Sequence, residues 1–184
     1  KTLVTERVQE QLTGVRVSIT IGALRSIRVF ILGDAEYPGS YTVSGLSTMT
    51  NALFLSGGVK EIGSLRNIEL KRNGVTLSTL DLYELLLNGD TSNDARLQPG
   101  DVIFVPPIGN TVAVDGMVKR PAIYELIDNE STVIDVIELS GGLIPKADVS
   151  AVKLERIIPG RGIAVRDIDT NSEIDGGERL QDGD

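Results

Sequence analysis

"VFILGDAEYPGSYTVSGLSTMTNALFLSGG", Val29 to Gly58, reads as a β-rich run, a Pro-Gly turn, a second β-rich run and a helix closed by two glycines. "VAVDGMVKRPAIYELIDNESTVIDVIELSGG", Val112 to Gly142, repeats that order. Gly33 and Gly116, Pro38 and Pro121, and Tyr41 and Tyr124 are each 83 positions apart. After a one-residue slip, Gly57-Gly58 match Gly141-Gly142 at 84, as "IELKR" (Ile68 to Arg72) matches "VKLER" (Val152 to Arg156). Leu97 and Leu180 return to 83. So many ordered anchors mean a tandem duplication, and that duplication decides the fold.

Within the first copy, Arg28–Leu32 and Ser40–Val43 read as strands on either side of the turn at Pro38-Gly39. Thr48–Ser56 places Met49 and Leu53, with Ala52 or Ser56, on one helical face, with Ser47 as the expected N-cap and Gly57 as the stop. Asn73-Gly74 between "NIELKR" and "VTLSTLDL" is a hairpin signal. "DLYELLLNGD" then reads as a short helix ended by Asn88-Gly89, before a closing strand at Asp101–Val105. The second copy keeps the early elements, has a longer hairpin loop "IPGRG" (Ile158 to Gly162), and has no counterpart of "LYELLLNG". It is expected to lack its closing strand, since "LQDGD" stops where "LQPGDVIFVPP" goes on. "PPIGN" (Pro106 to Asn110) joins the copies as a semi-rigid linker. Ahead of them, Leu3, Val8 and Leu12 fit a short amphipathic helix, and "VRVSITI" (Val15 to Ile21) alternates like a strand. The chain thus divides into 1–25, the remnant of a preceding domain, 26–107, the first module, and 111–184, the second.

The chain has 184 residues, 18 Lys plus Arg against 26 Asp plus Glu, and a net charge of -8, which opposes a grip on nucleic acid. It contains no Cys, His or Trp. That removes thiol nucleophiles, disulfides, thiolate and imidazole metal ligands, and the usual catalytic triads. Paired carboxylates are the remaining route to hydrolysis, and no spacing points to such a pair. No catalytic residue, cofactor or metal ligand is assigned. "DIDTNSEIDGGE" (Asp167 to Glu178) has acidic or amide residues at positions 1, 3, 5 and 12 of a calcium loop. Ser172 stands where the sharp turn needs glycine, and "IAVRDID" reads as a strand, so this stretch is read as a solvated acidic loop.

Gly33, Gly116 and the pairs Gly57-Gly58 and Gly141-Gly142 are read as turn and helix-stop chemistry, as are Pro38, Gly39 and Pro121. Glycines that follow a helix do not cradle a phosphate as those opening one do. Tyr41 and Tyr124 occupy matching strand positions that suit a core ring with an edge hydroxyl, with contact to a sugar as the alternative. Tyr37 and Arg120 precede the two prolines on exposed turns, and are the preferred candidates for contact with ligand or a neighbouring subunit.

These residues together, "VFILGDAEYPGSY", a helix ending in "SGG", and "LQPGDVIFVPP", resemble the soluble-ligand-binding β-grasp (SLBB) domains of bacterial polysaccharide export proteins across residues 27–184. The lead-in "VRVSITIGALRSIRVF" is similar to the end of the polysaccharide-export domain that precedes such modules. The resemblance implies an α+β fold of two tandem β-grasp domains and a non-catalytic role in capsule or exopolysaccharide export. The implied location is the periplasmic side of the Gram-negative outer membrane. The implied partners are the exported polysaccharide, weakly held, other subunits in a homo-oligomer, and an inner-membrane polysaccharide co-polymerase. A carbohydrate- or small-ligand-binding module is the alternative. Gly39 gives way to Ala122 in the second copy, a departure from the pattern.

Overall fold

The computed structural model describes residues 25–127 and 130–184. The expected helix and strand of a preceding domain fall in residues 1–24, outside the described residues.

The first module runs β1 (Ser26–Gly33), β2 (Gly39–Ser44), α1 (Met49–Leu55), β3 (Ile68–Arg72), β4 (Val75–Leu80), a π-helical turn (Glu84–Asn88) and β5 (Val102–Val105). Its strands form one sheet in the order β2-β1-β5-β3-β4, with β5 parallel to β1 and antiparallel to β3. Residues of β1 alternate strictly, Ile27, Val29 and Ile31 inward, because successive side chains of a strand take opposite faces. Met49, Ala52 and Leu53 of α1 close over that face, burying Val43, Ile68, Leu70, Leu80, Ile103 and Val105 with them. One helix packed on a mixed sheet in this order is a β-grasp, as the α+β reading expects.

Thr48, not Ser47, caps α1: its backbone is extended, and its N–H donates to Asn51 Oδ1 at 3.1 Å. The helix therefore begins one residue later than the spacing of apolar positions implies, because the Asn51 side chain reaches back to Thr48. Thr132 caps the second copy's helix in the same way through Asp135. The hairpin at Asn73-Gly74 has both central residues at positive φ, 51° and 80°, as its strand twist requires.

The second module runs β6 (Thr111–Val114), β7 (Ala122–Glu125), α2 (Val133–Leu139), β8 (Val152–Ile158), β9 (Gly162–Ile168) and α3 (Glu173–Gly176). Among the described residues its strands make two hairpins, β6–β7 and β8–β9, over a core of Val112, Tyr124, Leu126, Val133, Val136, Leu154, Ile168 and Leu180. The short α3 stands where the first copy has its π-helical turn, so the copies diverge where their sequences do.

Several backbone bonds repeat between the copies at the spacing of the duplication. Phe30 N donates to Asp101 O as Ala113 N does to Asp184 O, and Gly100 N to Arg28 O as Gly183 N does to Thr111 O. A buried carboxylate locks each copy. Arg72 holds Asp101 through Nε–Oδ1 and Nη2–Oδ2 bonds of 2.7 and 2.9 Å, and Arg156 holds Asp184 through 2.8 and 2.6 Å. The second oxygen of each Asp also accepts a backbone N–H, from Gln98 and from Gln181. The forked geometry matches a carboxylate bidentately, and these aspartates hold both guanidinium pKa values above the usual range.

Gly33 and Gly116 share a left-handed backbone, φ 80° and 85°, yet differ in surroundings. A Cβ on Gly33 would run into the carbonyl of Val105, whereas nothing lies within 4 Å of one on Gly116. Gly116→Ala is expected to cost only the left-handed strain, about 1–2 kcal/mol. Gly33→Ala should cost more, at least about 3 kcal/mol, because the β1–β5 pairing must also part. Urea denaturation of both variants checks the difference, and equal losses would contradict it.

Candidate functional site

Strand alternation in β7 turns Tyr124 into the core of the second module and leaves the next residue, Glu125, on the opposite face. The matching position in the first copy is Thr42, which is exposed. Glu125 is only 1% exposed, and it is the first module that covers it. Its Oε2 accepts the N–H groups of Leu65 at 2.8 Å and Arg66 at 3.3 Å, and its Oε1 accepts that of linker residue Gly109 at 2.9 Å. Its backbone carbonyl accepts Arg66 Nε at 2.7 Å, and its backbone N–H donates to the Tyr83 hydroxyl at 3.1 Å.

Arg66 completes the joint. Its Nη1 donates to Asp81 at 2.9 Å, and its guanidinium lies 4.3 Å from the centroid of the Tyr83 ring. Tyr83 in turn sits 6.3 Å from Tyr124 and packs against the second core. The linker adds backbone bonds on both sides, Ser64 N to Pro106 O and Ile108 N to Ile62 O on one, Leu126 N to Asn110 O on the other. A buried carboxylate is costly unless fully hydrogen-bonded, and this one is, so the modules are held in one relation.

Beside the joint opens a cleft of about 600 Å³ between the modules. Tyr83, Glu84, Leu87 and Asn88 line it from the first module, and Arg120, Asp135, Glu138 and Leu139 from the second. Arg120 Nη2 donates to Leu139 O at 2.9 Å, satisfying a carbonyl at the end of α2. Tyr37, the matching residue, lies on the first module's surface at 65% exposure, with its ring over Gly57. The structure does not bring the two together: Arg120 faces the joint and Tyr37 the outside. The hydroxyls of Tyr41 and Tyr124 both donate to a carbonyl four residues back, Tyr37 O and Arg120 O, bracing the turns at Pro38 and Pro121. Gly57, Gly58, Gly141 and Gly142 all have φ between 86° and 93°, ending α1 and α2, and Gly39 opens β2.

In the acidic stretch, Glu178 engages both Arg156 and Arg166, and Asp175 engages Arg166, so these carboxylates are ion-paired. Among the described residues no group of three acidic side chains is placed to hold a metal ion. The sequence reading passed over Glu125, Arg66 and Tyr83. The available signal was a mismatch within the repeat, a glutamate following the tyrosine in one strand and a threonine in the other.

Glu125→Ala would leave the Leu65 and Gly109 amides without an acceptor, while the Arg66 N–H keeps Ser64 Oγ at 3.2 Å, a loss of about 2–5 kcal/mol. Urea unfolding is expected to split into two transitions, one per module, where the native chain shows one. Burial raises the pKa of the Tyr83 phenol above its ordinary 10.0, against the lowering effects of the Glu125 hydrogen bond and of Arg66. The unfolded chain then loses this proton first as pH climbs. The stabilisation is complete below pH 10.0 and is lost as pH rises through the folded value. Wild type should therefore lose stability relative to Tyr83→Phe above that pH, as thermal melts across the alkaline range will show.

SLBB domain models match residues 27–105, within the first module, and 111–167, within the second. The chain is 30% identical over 137 residues to the polysialic acid transport protein KpsD of Escherichia coli, covering 73% of this chain and 24% of that protein. It is 28% identical over 133 residues to the EPS I polysaccharide export outer membrane protein EpsA of Ralstonia nicotianae, covering 71% and 35%. The chain thus spans about a quarter to a third of the length of these curated relatives. No helix among the described residues is long and apolar enough to cross a membrane. With SLBB domain models matching both modules, the chain belongs to the SLBB domain family, and the relatives it matches are polysaccharide transport and export proteins.

Proposed function

We propose that this chain is a non-catalytic section of a polysaccharide-export protein, working on the periplasmic side of the outer membrane, where its paired modules build a rigid stretch of the export conduit. The observation that carries this reading is the joint at Glu125. A buried carboxylate that accepts two amides of the preceding module and one of the linker supports a geometric purpose, and among the described residues no nucleophile and base are paired in the joint. Relatives named for polysaccharide transport and export support the same reading.

In this reading the mechanism is positional. Fixed modules present constant surfaces to neighbouring subunits of a homo-oligomer and to an inner-membrane co-polymerase, and touch the passing polysaccharide only weakly. Tight binding would slow transport, since residence time grows with affinity. The net charge of -8 keeps the surface from gripping an acidic polymer.

The test replaces the full-length protein in its host with a Glu125→Ala version, and with the milder Glu125→Gln. Surface polysaccharide is expected to fall with the first and less with the second, while the amount of protein in the envelope fraction stays near wild type. Purified chain incubated with the exported polymer should leave its length distribution unchanged. Undiminished export from the uncoupled joint, or shortening of the polymer, would overturn the proposal.

A further inference from the structure

We infer that the cleft between the two modules is a low-affinity site for a saccharide without acidic groups. Its volume of about 600 Å³ lies within the roughly 300–1,000 Å³ typical of small-molecule sites, which form preferentially between domains. The Glu125–Arg66–Tyr83 joint fixes the two walls relative to each other, so a ligand entering there does not have to order them.

One wall is a turn anchored to the first core through half-buried Leu85, with the rest of its residues exposed. Glu84–Asn88 winds as a π-helical turn, held by an Asn88 Nδ2 to Glu84 Oε2 bond of 2.7 Å and ended by Gly89 at φ 70°. None of its five residues is buried. Such turns are rare and frequent at functional sites, and among the described residues the second copy has none. The turn presents Glu84, Leu87 and Asn88 to the cleft.

The side chains set the ligand class. Carboxylates of Glu84, Asp135 and Glu138 and the amide of Asn88 suit hydroxyl and amine donors, and Leu87 supplies apolar surface for the carbon face of a sugar ring. Glu138 has no side-chain hydrogen bond or ion pair among the described residues. Arg66 is ion-paired with Asp81, whereas Arg120 spends only Nη2 on the neutral Leu139 carbonyl and keeps its charge. Four carboxylates in the lining, Glu84, Glu130, Asp135 and Glu138, outweigh that one cation, so an acidic sugar would meet net repulsion. This inference rests on the export reading for the choice of a glycan over another polyol.

Titration followed by amide resonances of the 184-residue chain tests it with three probes: a neutral hexose oligomer, a hexosamine oligomer with free amines, and an oligouronate. The first two are expected to shift amides of Glu84–Asn88, Arg120 and Asp135–Leu139, with dissociation constants on the order of millimolar. Glu138→Gln should weaken the hexosamine selectively about 2- to 10-fold with the melting temperature unchanged, and Asn88→Ala, which also frees the turn from its bond to Glu84, should weaken both probes by a similar factor. Absence of shifts in the cleft with either non-acidic probe, or equal shifts with the oligouronate, would overturn the inference. That failure alongside reduced export from Glu125→Ala would leave the export reading standing. Cleft shifts alongside undiminished export would sink that reading instead.

Discussion

The structure depends on one buried carboxylate. Glu125 lies on a strand of the second module, but its side chain is satisfied by backbone N–H groups of the first module and of the linker. Amide donors stabilise the charge as water would, and they are fixed in direction, so the bond holds only when the modules take one mutual orientation. Arg66 and Tyr83 add the complement, reaching from the first module to the backbone of the same residue. A polar joint of this kind fixes orientation more strictly than an apolar contact, which tolerates sliding.

The two copies show how a duplicated unit divides its residues between scaffold and difference. Arg72 with Asp101 and Arg156 with Asp184 repeat one bidentate lock, and Tyr41 and Tyr124 repeat one turn brace. These positions serve each module from inside. Thr42 against Glu125 and Tyr37 against Arg120 sit outside each module's own core, and there the copies part. The cleft between the modules includes such unshared residues, Arg120 and the π-helical turn that α3 replaces in the second copy.

Much of the fold was legible from local chemistry. Alternation in "SIRVFIL" places the strand face, Asn73-Gly74 specifies the hairpin, and the Gly-Gly pairs end the helices, all through interactions within a few residues. The one-residue error at the start of α1 came from the same range, since Ser47 and Thr48 are both acceptable caps and the reach of Asn51 decides between them. Tyr37 and Arg120 were legible as exposed turn residues, but their different fates were not, because those depend on what lies across from each turn.

The sequence by itself determined the duplication, the order of elements in each module and the absence of thiol and imidazole chemistry, because repeats, turn residues and composition act locally or by presence alone. Only the tertiary structure decided that Glu125, Arg66 and Tyr83 form a joint and that Arg120 borders a cleft. Those contacts join residues up to 60 positions apart, and a glutamate in a strand carries no mark of whether water or another module's amides will face it.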